Sequence, residues 1–188
     1  MALVKCQPGH IVSPYLLRKL AIVRSNQVWA LDTTYIPMKQ GFVYLTAVLD
    51  WASRKVLAHK VTITLEASHT VDLLIEAFAQ CVHREIVNTD QGSRFTAQVF
   101  VDAVRSRSCQ LSMDGRGAWR DDGLKERLWK SIRYEEVFLH AYDTVFAAKV
   151  GINRYISFYN AERAHSSLGK KTPNGGMRRM RASPRSQQ

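Results

Sequence analysis

The chain has 188 residues, 46% of them hydrophobic, which suits one globular domain with a sizeable core. Its 27 lysines and arginines against 16 acidic residues leave a formal net charge of +11, which favours a polyanionic partner such as nucleic acid. The sequence has no run of about 18 apolar residues and no signal-peptide pattern, so a membrane partner is not expected. Three isolated cysteines without metal-ligand spacing are typical of reduced thiols and predict a cytoplasmic protein.

The chain opens with a predicted lead-in arm over residues 1–25, and regular structure begins with a strand over residues 27–36. Alternation places Asp32 on one face of this strand together with apolar residues. A carboxylate in a mainly buried strand is costly unless it is paired or binds a cation. Strands over residues 42–50 and 55–64 complete a predicted antiparallel meander.

Asp50 ends the second strand, and we predict a structural role for it, either pairing with Arg54 or capping the turn. Helices and strands alternate after the meander. The predicted elements are a helix over 66–80, a strand over 85–89, a helix from a Thr96 cap to about 106, a strand over 109–113, a helix from about 121, and a helix over 140–159. The last helix is expected to bury Phe146, Val150, Ile152, Tyr155, Ile156 and Tyr159.

The fourth predicted strand delivers Asp90 to its C-terminal end, just before Gly92 turns the chain into a helix. Ligand sites of open α/β sheets lie at such strand ends, so this carboxylate is well placed for chemistry. A helix cap or a turn aspartate is the alternative interpretation of the same pattern.

Three carboxylates form the candidate site. If the fourth strand pairs parallel to the first, Asp32 and Asp90 lie side by side, and a helix crossing the sheet can present Glu126 to them. Convergent carboxylates favour hard divalent ions, Mg²⁺ or Mn²⁺, and two such ions can activate water or a 3′-hydroxyl against a phosphodiester. From spacing alone, three unrelated acidic residues remain an equal alternative.

Four segments resemble the integrase core of bacterial insertion-sequence transposases, in particular the OrfB-type catalytic subunit. They are Asn26–Ile36, Asn88–Ser93, Glu126–Ser131 and Tyr159–Leu168. Thirty-five residues separate the second aspartate from the glutamate, as in the DDE signature of that family. The resemblance covers residues 26–173. It implies a ribonuclease-H-like α/β fold, with a five-stranded mixed sheet of three antiparallel strands plus parallel strands, flanked by helices.

The resemblance also implies a function. Asp32, Asp90 and Glu126 would be the catalytic residues and the metal ligands, holding two Mg²⁺ or Mn²⁺ ions for DNA strand cleavage and strand transfer in transposition. The expected partners are transposon ends and target DNA, bound by a homo-oligomer.

The cationic residues near these acids are candidate DNA contacts. They are Arg94, Arg116, Arg120, Lys125, Lys130, Arg163 and His165, the last two on the strength of the resemblance. Each could instead be an ordinary solvated charge or surface residue. Trp119 could stack on an unpaired base or pack against the protein.

Three features depart from the family pattern. Asp122 stands where an asparagine is usual, and the glycines after Asn174 are expected to end helical structure, leaving residues 174–188 as a basic, disordered tail. Residues 1–25 are too few for a complete helix-turn-helix module, so we expect a truncated chain, with a separate helix-turn-helix subunit as one source of end recognition. A non-catalytic DNA-binding remnant of a decayed transposase is the alternative function, and a ribonuclease acting on hybrids is a third.

Overall fold

The computed structural model describes residues 11–81, 84–115 and 119–182, in which helices cover both faces of a five-stranded sheet. The strands are β1 (Val28–Pro37), β2 (Phe42–Asp50), β3 (Val56–Thr62), β4 (Ile86–Thr89) and β5 (Gln110–Met113). The helices are α1 (Ala67–Ala79), α2 (Ser93–Thr96), α3 (Gln98–Arg105), α4 (Trp119–Ile132), α5 (Phe138–His140), α6 (Val145–Ala161) and α7 (Pro173–Ala182). A π-helical segment, Arg133–Val137, joins α4 to α5, and a 3₁₀ turn, Ser166–Leu168, precedes α7.

The sheet has the order β3-β2-β1-β4-β5. The pairs β1–β2 and β2–β3 are antiparallel, whereas β1–β4 and β4–β5 are parallel. The predicted five-stranded mixed sheet is therefore confirmed, with the long β1 at its centre.

The first half of β1 lies between two cores. Its side chains alternate between them, so both faces of the strand are buried there. Trp29 and Leu31 point into the core formed with α1 and α3. Ala30 and Ile36 point into the second core, formed with α4 and α6. Asp32 belongs by alternation to the α4 side of the sheet.

The turn after β2 is built around Asp50, which is fully buried. Its carboxylate accepts hydrogen bonds from the backbone N–H of Asn26 (2.7 Å) and of Ser53 (2.9 Å), and also from the Ser53 hydroxyl. Arg54 N–H donates to the Asp50 carbonyl at 2.9 Å. The structural role predicted for Asp50, capping the turn, is confirmed.

Two helical predictions need correction. Thr96 does not cap a long helix, because it ends the short α2 and an extended Ala97 separates α2 from α3. In α6, which starts at Val145 instead of 140, Phe146 and Val150 are 76% and 51% exposed. The buried stripe of α6 runs through the small residues Ala148 and Gly151, where neighbouring elements approach closely, and continues through the other predicted residues, Ile152, Tyr155, Ile156 and Tyr159.

The expectation of disorder after residue 173 is wrong for residues 173–182, which form α7. Pro173 opens this helix, and the Thr172 hydroxyl accepts a hydrogen bond from Gly175 N–H at 3.2 Å. Met177 is buried in the core on the α1 side, so packing outweighs the low helix propensity of the glycines.

Residues 11–25 contain no helix or strand, yet they lie against the domain. Leu17 packs with Val28 and Ile86, and Leu16 N–H donates to the Ser112 hydroxyl at 3.0 Å. Among the residues described, no helix is long and apolar enough to cross a membrane.

Candidate active site

The strand register sets Asp32 and Asp90 beside each other. In the parallel β1–β4 pair, Ala30 lies opposite Asn88, and continuing both chains by two residues brings Asp32 opposite Asp90. Neighbouring strands are about 4.8 Å apart. The two carboxylates predicted to be adjacent therefore lie next to each other, at the point where β4 ends beside the middle of β1.

Asp32 is held in a fixed orientation. Its Oδ1 accepts a hydrogen bond from Thr33 N–H at 2.8 Å, and its Oδ2 accepts one from Trp129 Nε1 at 2.9 Å. Burial raises the pKa of Asp32, and the nearby Asp90 raises it further, although the two hydrogen bonds and Lys125 oppose the shift. The ionised carboxylate of Asp32 is thus poorly solvated, and a bound cation would stabilise it.

Asp90 is positioned by the turn that follows β4. Its Oδ1 accepts a hydrogen bond from Gly92 N–H at 2.8 Å, and a Cβ atom at position 92 would lie 2.8 Å from that same oxygen. Any larger residue would therefore collide with the carboxylate. Arg94 Nη2 lies 3.6 Å from Asp90 Oδ2, so the arginine expected to contact DNA faces the candidate site.

Glu126 lies on α4 and lines the same cleft as Asp32, which encloses about 290 Å³. Its side chain is 62% exposed and pairs with Lys130 at 3.2 Å. Within the part of the chain that the structure describes, no three acidic, histidine or cysteine side chains are gathered closely enough to hold a metal ion. Glu126 would have to turn away from Lys130 to join the aspartates.

Lys125, predicted to contact DNA, also lines this cleft, but its side chain is buried. It is 5% exposed and its Nζ lies 2.6 Å from Asp114 Oδ2. Asp114 also accepts a hydrogen bond from Asn88 Nδ2 at 2.8 Å. This ion pair holds the Lys125 ammonium against Asp114, and its contact with DNA stays a prediction.

The remaining predicted DNA contacts fall into three groups. Lys130 is exposed beside Glu126. Arg163 and His165 line a second cavity, next to the cleft. Arg116 lies outside the described residues, while Arg120 lies on α4, where only the backbone is described.

Two residues at the site were missed or misjudged from the sequence. Trp129 packs in the core on the α4 side and also donates to Asp32, a second role that sequence reasoning missed; its position three residues after Glu126 on one helix face was the available signal. Asp114 follows β5, and the register that pairs Thr89 with Met113 places it beside Asp90. A carboxylate at the end of a third adjacent strand could have been found by the reasoning applied to Asp90.

A mixed sheet of this order, with two aspartates side by side at its centre and a glutamate on the helix above, defines a ribonuclease-H-like domain of the integrase type. Comparison with known proteins agrees. The chain belongs to the integrase core domain family, whose model matches residues 23–118, and a second integrase core domain model matches residues 107–173.

The relatives are proteins of bacterial insertion sequences. The transposase of IS904 from Lactococcus lactis is 32% identical over 152 residues, covering 79% of this chain and 60% of the relative. The putative transposase InsK of IS150 from Escherichia coli is 22% identical over 167 residues, covering 88% of this chain and 59% of the relative. The chain thus spans about three fifths of the length of these relatives.

Solved structures confirm the fold. The integrase catalytic core of HTLV-2, solved with magnesium, superposes with a TM-score of 0.68 at 20% identity, over 82% of this chain and 98% of that one. An integrase chain of the simian T-cell lymphotropic virus intasome gives a TM-score of 0.69 at 20% identity, over 97% of this chain and 63% of that one.

Proposed function

We propose that this domain is the catalytic core of a DDE-type transposase, which cuts DNA strands and joins them to target DNA in a metal-dependent reaction. The observation that carries the proposal is the register that places Asp32 beside Asp90, with Glu126 on the same cleft, in a member of the integrase core family. The transposases among its relatives support DNA as the substrate.

The side chains suit a hard divalent cation. All three proposed ligands are carboxylates, the donor type that Mg²⁺ and Mn²⁺ prefer. Burial raises the pKa of Asp32, so its ionised form lacks solvation that a bound cation would replace. We propose Asp32, Asp90 and Glu126 as ligands of two such ions, which when bound would activate water or a 3′-hydroxyl and stabilise the leaving oxygen.

The residues around the carboxylates have separate tasks. Trp129 and the Thr33 backbone orient Asp32, and the absence of a side chain at Gly92 lets the turn close onto Asp90. Lys130 pairs with Glu126, and a Glu126 side chain turned toward the aspartates would leave Lys130 open to a DNA phosphate. The whole protein is proposed to act on transposon ends and target DNA as a homo-oligomer, with end recognition supplied by a helix-turn-helix module, which a separate subunit could carry.

Strand transfer by the purified chain tests the proposal. A pre-cleaved oligonucleotide with a 3′-hydroxyl would be incubated with plasmid and Mn²⁺, using wild type, Asp90→Asn and Glu126→Gln. The matched control is Asp102→Asn, which removes one exposed carboxylate from α3 on the opposite face. Joined product that disappears in the two site variants and persists in the control is the expected result.

Full strand transfer by Asp90→Asn would refute the assignment. If no variant and no wild-type protein gives product, calorimetry with Mn²⁺ decides. Binding that Asp90→Asn weakens would keep the metal site, whereas no binding to wild type would favour the non-catalytic remnant.

A further inference from the structure

A second cavity, of about 690 Å³, lies next to the carboxylate cleft. Lys130 lines both cavities. Along α4 and the π-helical segment that follows it, residues 126, 129 and 133 line the cleft while residues 127, 131 and 134 line the second cavity, so adjacent faces of this continuous stretch serve the two. The charged and titratable side chains that argue for a ligand are Arg54, Arg127, Lys130, Arg163, Glu135 and His165.

The charge in this cavity is strongly unbalanced. Four cationic side chains line it, against the single carboxylate of Glu135. Arg163 already neutralises that carboxylate, because its Nε lies 2.8 Å from Oε2 and 3.1 Å from Oε1 of Glu135, and its Nη2 lies 2.5 Å from Oε1. Lys130 pairs with Glu126 of the neighbouring cleft, so among the lining residues no carboxylate remains for Arg54 and Arg127.

Arg54 lies in the turn between β2 and β3 and is the group that most requires a ligand. Its Nη1 atom is buried and has no hydrogen-bond partner among the described residues. Its backbone has a φ of +65°, a left-handed conformation that is strained for a non-glycine residue, and the turn built around Asp50 maintains it. Burial lowers the pKa of Arg54, and Arg127 contributes to the same shift.

Asp50 is the one acidic neighbour that acts electrostatically on Arg54 among the described residues, and its effect on the pKa of Arg54 is smaller than those of burial and Arg127. Tyr159 lies close enough to interact electrostatically, but burial raises its pKa to about 12, so it is neutral at pH 7. The Asp50 carboxylate already accepts hydrogen bonds from Asn26 and Ser53. A partly buried guanidinium whose buried Nη1 donor is unused is costly, and an anion entering from solvent would relieve that cost.

His165 adds a second unused donor or acceptor. Its Nε2 is buried and has no hydrogen-bond partner among the residues described, and its ring packs edge-on against Tyr159 at 4.8 Å between centroids. Burial lowers the pKa of His165, as do Arg163 and Arg54, so the ring is neutral at pH 7. A neutral imidazole can donate one N–H to an oxyanion without adding charge.

We propose that this cavity binds a backbone phosphate of a nucleic-acid strand, held by Arg54 and His165 in its interior and by Arg127 at its entrance. The cavity is wider than a phosphate ion alone requires, and Tyr134, which is 66% exposed, provides an aromatic surface for the attached nucleotide. Because Lys130 borders both cavities, a strand bound here continues into the carboxylate cleft. The choice of nucleic acid as the source of phosphate rests on the proposed function.

The test is equilibrium binding of a fluorescein-labelled single-stranded oligonucleotide, followed by anisotropy in EDTA at several salt concentrations. Arg54→Gly removes the guanidinium and suits the left-handed backbone, since glycine adopts positive φ freely. Arg127→Gln is a second variant, at an exposed position where folding is not at risk. The control, Arg105→Gln, removes one exposed cation from α3 on the opposite face.

Arg54→Gly is expected to weaken binding about tenfold or more, the effect of one buried charge-assisted contact. The magnitude of the slope of log K against log salt should fall by about 0.7 for each of the two cavity variants, because each removes one phosphate contact with a single strand. Arg105→Gln should change affinity less than twofold. The proposal is overturned if Arg127→Gln loses no more affinity for the oligonucleotide than Arg105→Gln. It is also overturned if a folded Arg54→Gly protein loses no more affinity than Arg105→Gln.

Inorganic phosphate serves as the competing probe. Protein that takes up phosphate through Arg54 but binds the oligonucleotide independently of Arg54 would identify a free-phosphate site and overturn the nucleic-acid assignment. All measurements are repeated in an Asp90→Asn background. The binding measurements use no metal and no strand transfer. A loss of Arg54-dependent binding can therefore be told apart from a failure of the catalytic proposal.

Discussion

Gly151 sits where α6 passes closest to the segment after α4, and we predict that Gly151→Ala strongly destabilises the domain. A Cβ atom at this position would lie 2.5 Å from Tyr142 Oη, 2.7 Å from Tyr142 Cε1 and 2.7 Å from Glu136 Oε1. Such separations are far below contact distance, and both neighbours are buried. Tyr142 or the helix must therefore move.

The cost has two parts. Overpacking a well-filled interior costs about 1–3 kcal/mol. Moving Tyr142 also breaks its 2.8 Å hydrogen bond to Glu136, a carboxylate only 4% exposed, and a bond to a charged group is worth about 1.5–3 kcal/mol. Together they predict a loss of about 2.5–6 kcal/mol in the free energy of unfolding. For a domain of this size the melting temperature should fall by about 10 °C.

Urea denaturation, followed by tryptophan fluorescence and by circular dichroism, measures this effect. The matched control is Gly123→Ala in α4, where no atom lies within 4 Å of the added Cβ. There the same substitution should stabilise the protein by about 0.5–1 kcal/mol, because alanine loses less backbone entropy in a helix. A Gly151→Ala protein within about 0.5 kcal/mol of wild type would refute the close approach of α6 to Tyr142.

Three further predictions concern buried polar groups. Asp32→Asn should abolish strand transfer yet raise the melting temperature at pH 7 without metal, because burial penalises the ionised carboxyl and raises its pKa; a lower melting temperature would contradict this. Asp50→Ala should lower the free energy of unfolding by about 3 kcal/mol, measured in urea, because the N–H and hydroxyl of Ser53 lose their acceptor; an exposed control, Asp102→Ala, should change it by less than about 0.5 kcal/mol. Burial lowers the pKa of His165 below its ordinary 6.5, so as the pH falls the unfolded chain is protonated first. The stabilising contribution of His165 is therefore complete above pH 6.5 and is lost as the pH falls toward the pKa of the folded state. The unfolding free energy of wild type should decline relative to that of His165→Gln between pH 7.5 and 5.5. A constant difference between the two proteins would contradict the lowered pKa.

The errors made from the sequence share a physical origin. Phe146 and Val150 were placed in the core because they are large and apolar, yet α6 buries a stripe through Ala148 and Gly151 instead. Small residues mark close approach between elements, and a count of hydrophobic side chains does not detect this. The glycines of α7 led to a prediction of disorder for a related reason. The packing around Met177 stabilises that helix despite the low helix propensity of its residues.

Charged residues show the same limit. Lys125 and Arg163 carry the charge expected of DNA contacts, but the structure pairs them with Asp114 and Glu135. Those partners are 11 and 28 residues away along the chain, so no local pattern indicates them. For Arg54 the sequence does not indicate that the fold buries its Nη1 atom without a hydrogen-bond partner among the described residues.

The sequence by itself determined the strand pattern and the sheet class, because strand alternation and turn chemistry are local properties of the chain, and the three candidate carboxylates came from the resemblance of their motifs to the integrase core family. The tertiary structure alone decided which cations remain available to a ligand. It also decided which residue orients Asp32. Those outcomes depend on burial and on partners distant in sequence, and they arise only when the sheet and helices come together.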